Sequence, residues 1–83
     1  MKSKKKYKNK EIKEKLISIL KKINKDYIYL SFKKSFQYQN FDSIDYLNFI
    51  LKIQSIFKIK INNKELNKIK SLNNLISLIS RKL

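Results

Sequence analysis

Asn40-Phe41-Asp42-Ser43-Ile44-Asp45-Tyr46-Leu47-Asn48-Phe49-Ile50-Leu51-Lys52-Ile53-Gln54-Ser55-Ile56-Phe57 is the stretch that decides the fold. A polar cluster runs directly into a dense apolar pattern. Asp42 or Ser43 can cap a helix there, because its side-chain oxygen accepts a backbone N–H that has no partner within the helix. Asp45 falls in the first turn, where a negative charge suits the positive end of the helix dipole. Leu47, Ile50, Leu51 and Gln54 recur at helical spacing, and Tyr46, Ile50, Ile53 and Phe57 form a second, adjoining stripe. A helix apolar over so much of its surface has to be wrapped by other elements. Leu47, Ile50 and Leu51 are expected in the core.

Upstream, Ile12, Leu16, Ile19, Leu20 and Ile23 recur at three- and four-residue steps, which predicts a helix over roughly 9 to 25. Lys21, Lys22 and Lys25 crowd its end, where cations suit the dipole. Residues 1 to 8 read as a basic disordered tail, and 9 to 83 as a single helical domain. The segment from Asp26 to Phe41 is harder to read. Tyr27-Ile28-Tyr29-Leu30-Ser31-Phe32 has strand-like content, but no second strand is available to pair with it. It is expected to be a long loop with a short helical turn, its aromatic rings packed down onto the helices and its purpose the delivery of Ser43 to the surface.

Downstream, Lys58-Ile59-Lys60-Ile61 alternates polar and apolar and, lacking a partner, reads as an extended connector that drops Ile59 and Ile61 into the core. Asn62 or Asn63 can cap a short third helix with Glu65 in its first turn. Ser71 caps a last helix, whose Leu72, Leu75, Ile76, Ile79 and Leu83 share one face. The fold class expected is therefore all-α: a small bundle of three longer helices and one short one.

Composition removes most enzymatic chemistry. With no cysteine and no histidine, the chain lacks thiolate metal sites, cysteine nucleophiles and the usual general base. Its six carboxylates are scattered and offer no evident acid/base pair. The 21 Lys+Arg against 6 Asp+Glu give a net charge of +15. Such an excess indicates an anionic partner such as nucleic acid or a membrane surface. The simpler source is codon usage. Gly, Pro, Ala, Val, Thr and Trp are absent as well, the abundant residues have AT-rich codons, and Arg81 is the one basic residue that is not lysine. The amino terminus shows no secretory pattern, and no apolar run approaches the ~20 residues of a membrane span. A soluble, cytoplasmic monomer is expected.

Asp42-Ser43-Ile44-Asp45 resembles the Asp-Ser-Leu/Ile motif of the acyl and peptidyl carrier proteins. The similarity extends along the chain. Asp45 matches the family's acidic residue two places after the serine, while Phe57, Ile59 and Ile61 match its Phe-x-Ile-x-Ile-like exit from the second helix. Asn63 to Ile69 match a short polar third helix, and Ser71, Leu72, Leu75, Ile76 and Ile79 a Ser/Thr-capped final helix. The first helix and Ser35-Phe36 also look similar, with a gap in the loop. There are two departures. Gln39, Asn40 and Phe41 stand where the family carries a glycine-bearing turn, so Asn40 is expected to supply the left-handed backbone. Asn48, Gln54 and Ser55 replace the glutamates that family partner enzymes grip.

The resemblance implies a carrier fold and a non-catalytic protein. Ser43 would carry a covalent 4′-phosphopantetheine arm derived from coenzyme A, flanked by Asp42, Ile44 and Asp45. Phe49, Ile53, Ile56, Ile61, Leu66 and Ile69 would line a yielding cleft for an acyl chain, in which each buried CH₂ contributes about 0.8 kcal/mol. The implied partners are a phosphopantetheinyl transferase and acyl-processing enzymes, met transiently during fatty acid or related lipid or secondary-metabolite biosynthesis. A peptidyl or D-alanyl carrier uses the same scaffold. The bland reading makes Ser43 an ordinary helix cap. The rival from a different class is a small basic helical protein that binds nucleic acid, with Tyr27, Tyr29, Phe32, Phe36 and Tyr38 available to stack on bases. Against it, lysines occur throughout the chain, and arginine, the preferred base reader, is almost absent.

Overall fold

A computed structural model describes residues 7–83. The basic tail expected over residues 1 to 8 falls mainly on 1–6 and so lies outside the described residues. Four α-helices, α1 (Asn9–Ile23), α2 (Ser43–Phe57), α3 (Asn63–Lys68) and α4 (Leu72–Lys82), are joined by loops, with two short 3-10 turns at Lys25–Tyr29 and Phe36–Tyr38. There is no strand among the described residues, and no helix long and apolar enough to cross a membrane. The chain is a small, compact helical protein.

Each helix begins where a side chain satisfies free N–H groups. The Asp42 Oδ1 accepts from the N–H of Ile44 at 2.8 Å and of Asp45 at 3.3 Å. Asn62 and Glu65 exchange bonds in a capping box at the start of α3, and Ser71 accepts from the Asn74 N–H at 3.2 Å. A Glu65–Lys82 ion pair of 2.8 Å ties α3 to the end of α4. Helix α1 stops at Ile23, two residues short of the expected end. Asn24 is extended there and turns its side chain to accept the Asp26 N–H, opening the first 3-10 turn. The end of α2 is set by Lys58, which takes a left-handed conformation (φ 56°, ψ 49°), and the Ile59 N–H returns to the Gln54 carbonyl at 3.2 Å.

One apolar cluster joins the elements. It holds Ile12, Leu16, Ile19 and Leu20 of α1, Phe49, Ile50, Ile53 and Phe57 of α2, and Leu72, Leu75, Ile76, Leu78 and Ile79 of α4. The helix-two stripe that faces it is the one containing Tyr46, Ile50, Ile53 and Phe57. Of the three residues expected in the core, Ile50 is buried while Leu47 and Leu51 are exposed. Two apolar stripes on one helix compete for one core, and the winning stripe is the one that meets α1 and α4.

Helices α1 and α2 run antiparallel. The Tyr7 ring, just before α1, packs edge-on to Phe57 at the end of α2 with centroids 5.3 Å apart, while Tyr27, just after α1, reaches Asp45 at the start of α2. The connector expected to be extended from Lys58 begins instead with that left-handed residue; Ile59 to Ile61 follow without helix or strand, held by the Gln54 side chain, whose Oε1 accepts from the Ile61 N–H at 2.8 Å.

Candidate functional site

The start of α2 is held from three sides. Asp42 caps it, so Ser43 is the first helical residue rather than the cap, and Ser43 is exposed. Behind it lies an aromatic group. Phe41 packs on Tyr27, Phe36, Tyr46 and Phe49, with centroid separations of 4.8, 5.5, 5.8 and 5.9 Å. The Tyr27 hydroxyl donates to Asp45 Oδ2 at 2.5 Å and receives a longer bond, 3.4 Å, from the Asp42 N–H. Burial raises the Tyr27 pKa above the ordinary tyrosine value, and the bond to Asp45 raises it further. Burial alone does the same to Tyr46.

The loop that delivers Ser43 is more ordered than its sequence suggests. Its 3-10 turns account for part of it, and backbone bonds to the α3–α4 connector and the first turn of α4 account for more. The Phe36 N–H donates to the Lys70 carbonyl at 2.7 Å, and the Asn73 N–H to the Phe32 carbonyl at 3.0 Å. Asn40 does not supply a left-handed turn; among the described residues, Lys58 is the only non-glycine with positive φ. The Gln39 side chain closes the loop instead. Its Oε1 accepts the Ser31 N–H at 2.6 Å, and its Nε2 donates to the carbonyls of Ser31 and Lys34. A side-chain amide thus performs the closure for which a left-handed Asn40 was expected.

Ser43 stands on the rim of a hollow of about 390 Å³, shared with Phe36, Phe41, Tyr46, Leu66 and Ile69 and bordered by Lys70. Of the six residues proposed to shelter a chain, Leu66 and Ile69 therefore lie beside Ser43. Phe49, Ile53 and Ile61 are buried in the core. Ile56 lies elsewhere, in a separate groove against α1. Ile44 is exposed beside Ser43, and Asp45 is half-buried under Tyr27.

Sequence reasoning missed three contributors. Tyr27 was read as a packing ring, not as the donor to Asp45, and the two are 18 residues apart with no local pattern linking them. Gln39 and Lys70 were not singled out for the site either. Gln54, noted for replacing a glutamate, is occupied with the connector. No protein-family model matches the chain, and no curated protein and no solved structure match it.

Proposed function

We infer that the protein is a carrier: Ser43 takes a 4′-phosphopantetheine arm from coenzyme A, and acyl intermediates travel on that arm during fatty acid or related lipid or secondary-metabolite synthesis. The observation that supports this is the division of labour at the start of α2. Asp42 does the capping, which removes the structural reason for Ser43 and leaves an exposed hydroxyl at a rigid helix tip. In the attachment, the Ser43 Oγ forms a bond to the phosphorus that bears pantetheine, the pyrophosphate bond breaks, adenosine 3′,5′-bisphosphate leaves, and the hydroxyl proton passes to the transferase.

The residues present suit that group. The positive end of the helix dipole favours a phosphodiester at Ser43, and Lys70 across the hollow adds a cation. Asp45 is turned inward to Tyr27, which draws one of the two nearby carboxylates away from the anion. Tyr46, Leu66 and Ile69 offer apolar wall for the first carbons of a cargo. When bound, the arm supplies the thiol that this cysteine-free chain lacks and holds acyl groups as thioesters. The protein performs no catalysis in this reading.

Intact-mass measurement after incubation with coenzyme A and a broad-specificity phosphopantetheinyl transferase tests it. The chain is expected to gain one arm and the Ser43→Ala variant none. A wild-type chain that stays unmodified, or a variant that still gains mass, overturns the assignment.

One observation favours a second reading. Tyr29 and Tyr38, 82% and 75% exposed, share an open hollow with Lys34 and could stack on bases. Tyr27, Phe32 and Phe36 are committed to packing against the core. Nucleic-acid binding predicts a log-linear loss of affinity with salt, at a slope of several phosphates, that Tyr29→Ala with Tyr38→Ala makes weaker at every salt concentration.

A further inference from the structure

Helix α4 is the one α-helix of the four without a carboxylate. Leu72, Leu75, Ile76, Leu78 and Ile79 form its buried side. The opposite side, made of Asn73, Asn74, Ser77, Ser80 and Arg81, is exposed. At 3.6 residues per turn these five fall within about a third of the circumference, so they make one continuous face. No large apolar side chain is exposed on α4. The face thus offers hydrogen-bonding groups and a cation, and nothing that would partition into lipid.

A hollow lies along each side of this face. The one toward α1, about 470 Å³, is lined by Asn73 and Ser77 together with Lys10 and Lys13. The one toward α3, about 650 Å³, is lined by Asn74, Ser77 and Arg81 together with Lys68. Ser77 borders both and marks the middle of the ridge between them. Glu65 and Lys82 also line the second hollow, but they neutralise one another in their 2.8 Å ion pair. Among the described residues that is the only ion pair, so Lys10, Lys13, Lys68 and Arg81 have no carboxylate in salt-bridge reach. The Lys13 Nζ rests 4.9 Å over the Phe32 ring, which positions its charge without cancelling it. We propose that α4 docks in the major groove of duplex DNA, with Lys10 and Lys13 on the phosphates of one strand, Lys68 on those of the other, and Asn73, Ser77 and Arg81 toward the base edges.

Dimensions and chemistry select that occupant. A helix with its side chains is about 10–12 Å across and the major groove about 12 Å wide, so the two strands flanking an inserted α4 would lie over the two hollows. Asparagine matches the N6 and N7 of adenine, a guanidinium matches the O6 and N7 of guanine, and serine accepts either. Arg81 is the one arginine among 21 basic residues, and its planar fork is what lysine lacks. An anionic bilayer calls for apolar side chains to insert, which the face does not have. A single strand calls for rings on which bases stack, and the face has none. The major groove of duplex RNA is too deep and narrow to admit the helix.

The inference goes beyond the carrier reading and does not require Ser43 to bear any group; the Ser43→Ala chain is expected to bind equally. The surface also shares no residue with the hollow that holds Tyr29 and Tyr38, so Tyr29→Ala with Tyr38→Ala should leave duplex binding unchanged. The probe is a short labelled DNA duplex of mixed sequence, titrated with the full chain and followed by anisotropy at several salt concentrations. Affinity should fall log-linearly with salt. Lys10→Gln with Lys13→Gln and Lys68→Gln should make the slope shallower by about two to three, since each phosphate contact contributes about 0.9. Lys22→Gln with Lys34→Gln and Lys52→Gln removes the same charge elsewhere and should change the slope by less than about one. Ser77→Glu sets a carboxylate between the hollows and should weaken binding by about tenfold or more, whereas Ser55→Glu, the same change on α2, should weaken it by less than about twofold. Both serines are exposed helical residues, so both variants should keep the wild-type helical circular dichroism. Equal effects of the two lysine triples, or of the two serine variants, overturn the proposal as unspecific attraction to a polycation. Duplex RNA bound as tightly as DNA overturns the groove assignment, and absence of duplex binding at low salt overturns the whole.

Discussion

Tyr27 donates its hydroxyl to Asp45 Oδ2 at 2.5 Å, joining the first 3-10 turn to the first turn of α2. This bond, with the longer one from the Asp42 N–H to the same hydroxyl, anchors the helix tip on which Ser43 sits. Tyr27→Phe keeps the ring against Phe41 and removes only the donor. A hydrogen bond to a charged, half-buried acceptor is worth about 1.5–3 kcal/mol, so the urea midpoint should fall by a corresponding amount. Asp45→Asn retains an acceptor and should cost less. A Tyr27→Phe chain as stable as wild type would show that the bond holds nothing.

The same contact predicts a pH dependence. Tyr27 and Tyr46 have folded-state pKa values raised above the ordinary 10.0, Tyr27 by burial and then by Asp45, and Tyr46 by burial. A group raised on folding contributes its full stabilisation below its unfolded pKa and loses it as the pH climbs through the folded one. Unfolding free energy should therefore decline as pH rises past 10.0, the unfolded tyrosine value. Lysines titrate in the same range, so the informative quantity is the difference between wild type and Tyr27→Phe. Parallel decline of the two chains would contradict the assignment.

Asp42 is the cap, so its loss should be felt in stability. Asp42→Ala leaves the N–H groups of Ile44 and Asp45 without their acceptor and should cost about 1 kcal/mol, whereas Asp42→Asn should cost little. Ser43→Ala should be nearly silent in the same urea titration. A larger loss from Ser43→Ala than from Asp42→Ala would restore serine as the structural residue.

Lys58 holds a left-handed backbone without being glycine. That conformation costs an L-residue about 1–2 kcal/mol relative to glycine's free access to it. Lys58→Gly should raise the thermal midpoint, with part of the gain offset by the greater entropy of the unfolded chain. Lys58→Ala, which retains the Cβ, should bring no gain.

How much of this was legible depends on the range of the interactions. The caps were legible to within a residue, as Asp42 or Ser43, Asn62 or Asn63, and Ser71, because a cap acts within three residues along the chain. So was the non-helical connector, since Ile59 and Ile61 alternate with lysines, but not its left-handed start at Lys58. The loop before α2 was legible only as a loop. Its closure rests on Gln39 reaching eight residues back to Ser31, and on pairing with Lys70 and Asn73, which no nearby spacing announces. The proposed cleft was legible as a set of apolar residues but not as a place. Leu66 and Ile69 meet Ser43 at one hollow, whereas Ile56 faces another groove.

Taken by itself, the order of residues determined that this chain makes four helices and narrowed the starts of the last three to one or two neighbouring residues; that Asp42 rather than Ser43 caps α2 came from the structure. Those features depend on side chains and backbone groups within one or two turns of one another. Only the tertiary structure decided which of the two apolar stripes of α2 enters the core, that Asp45 answers to Tyr27, and that Leu47 and Leu51 remain outside. Each of these depends on what α1, α4 and the long loop bring to the same point in space, and helical period describes one helix without naming its neighbours.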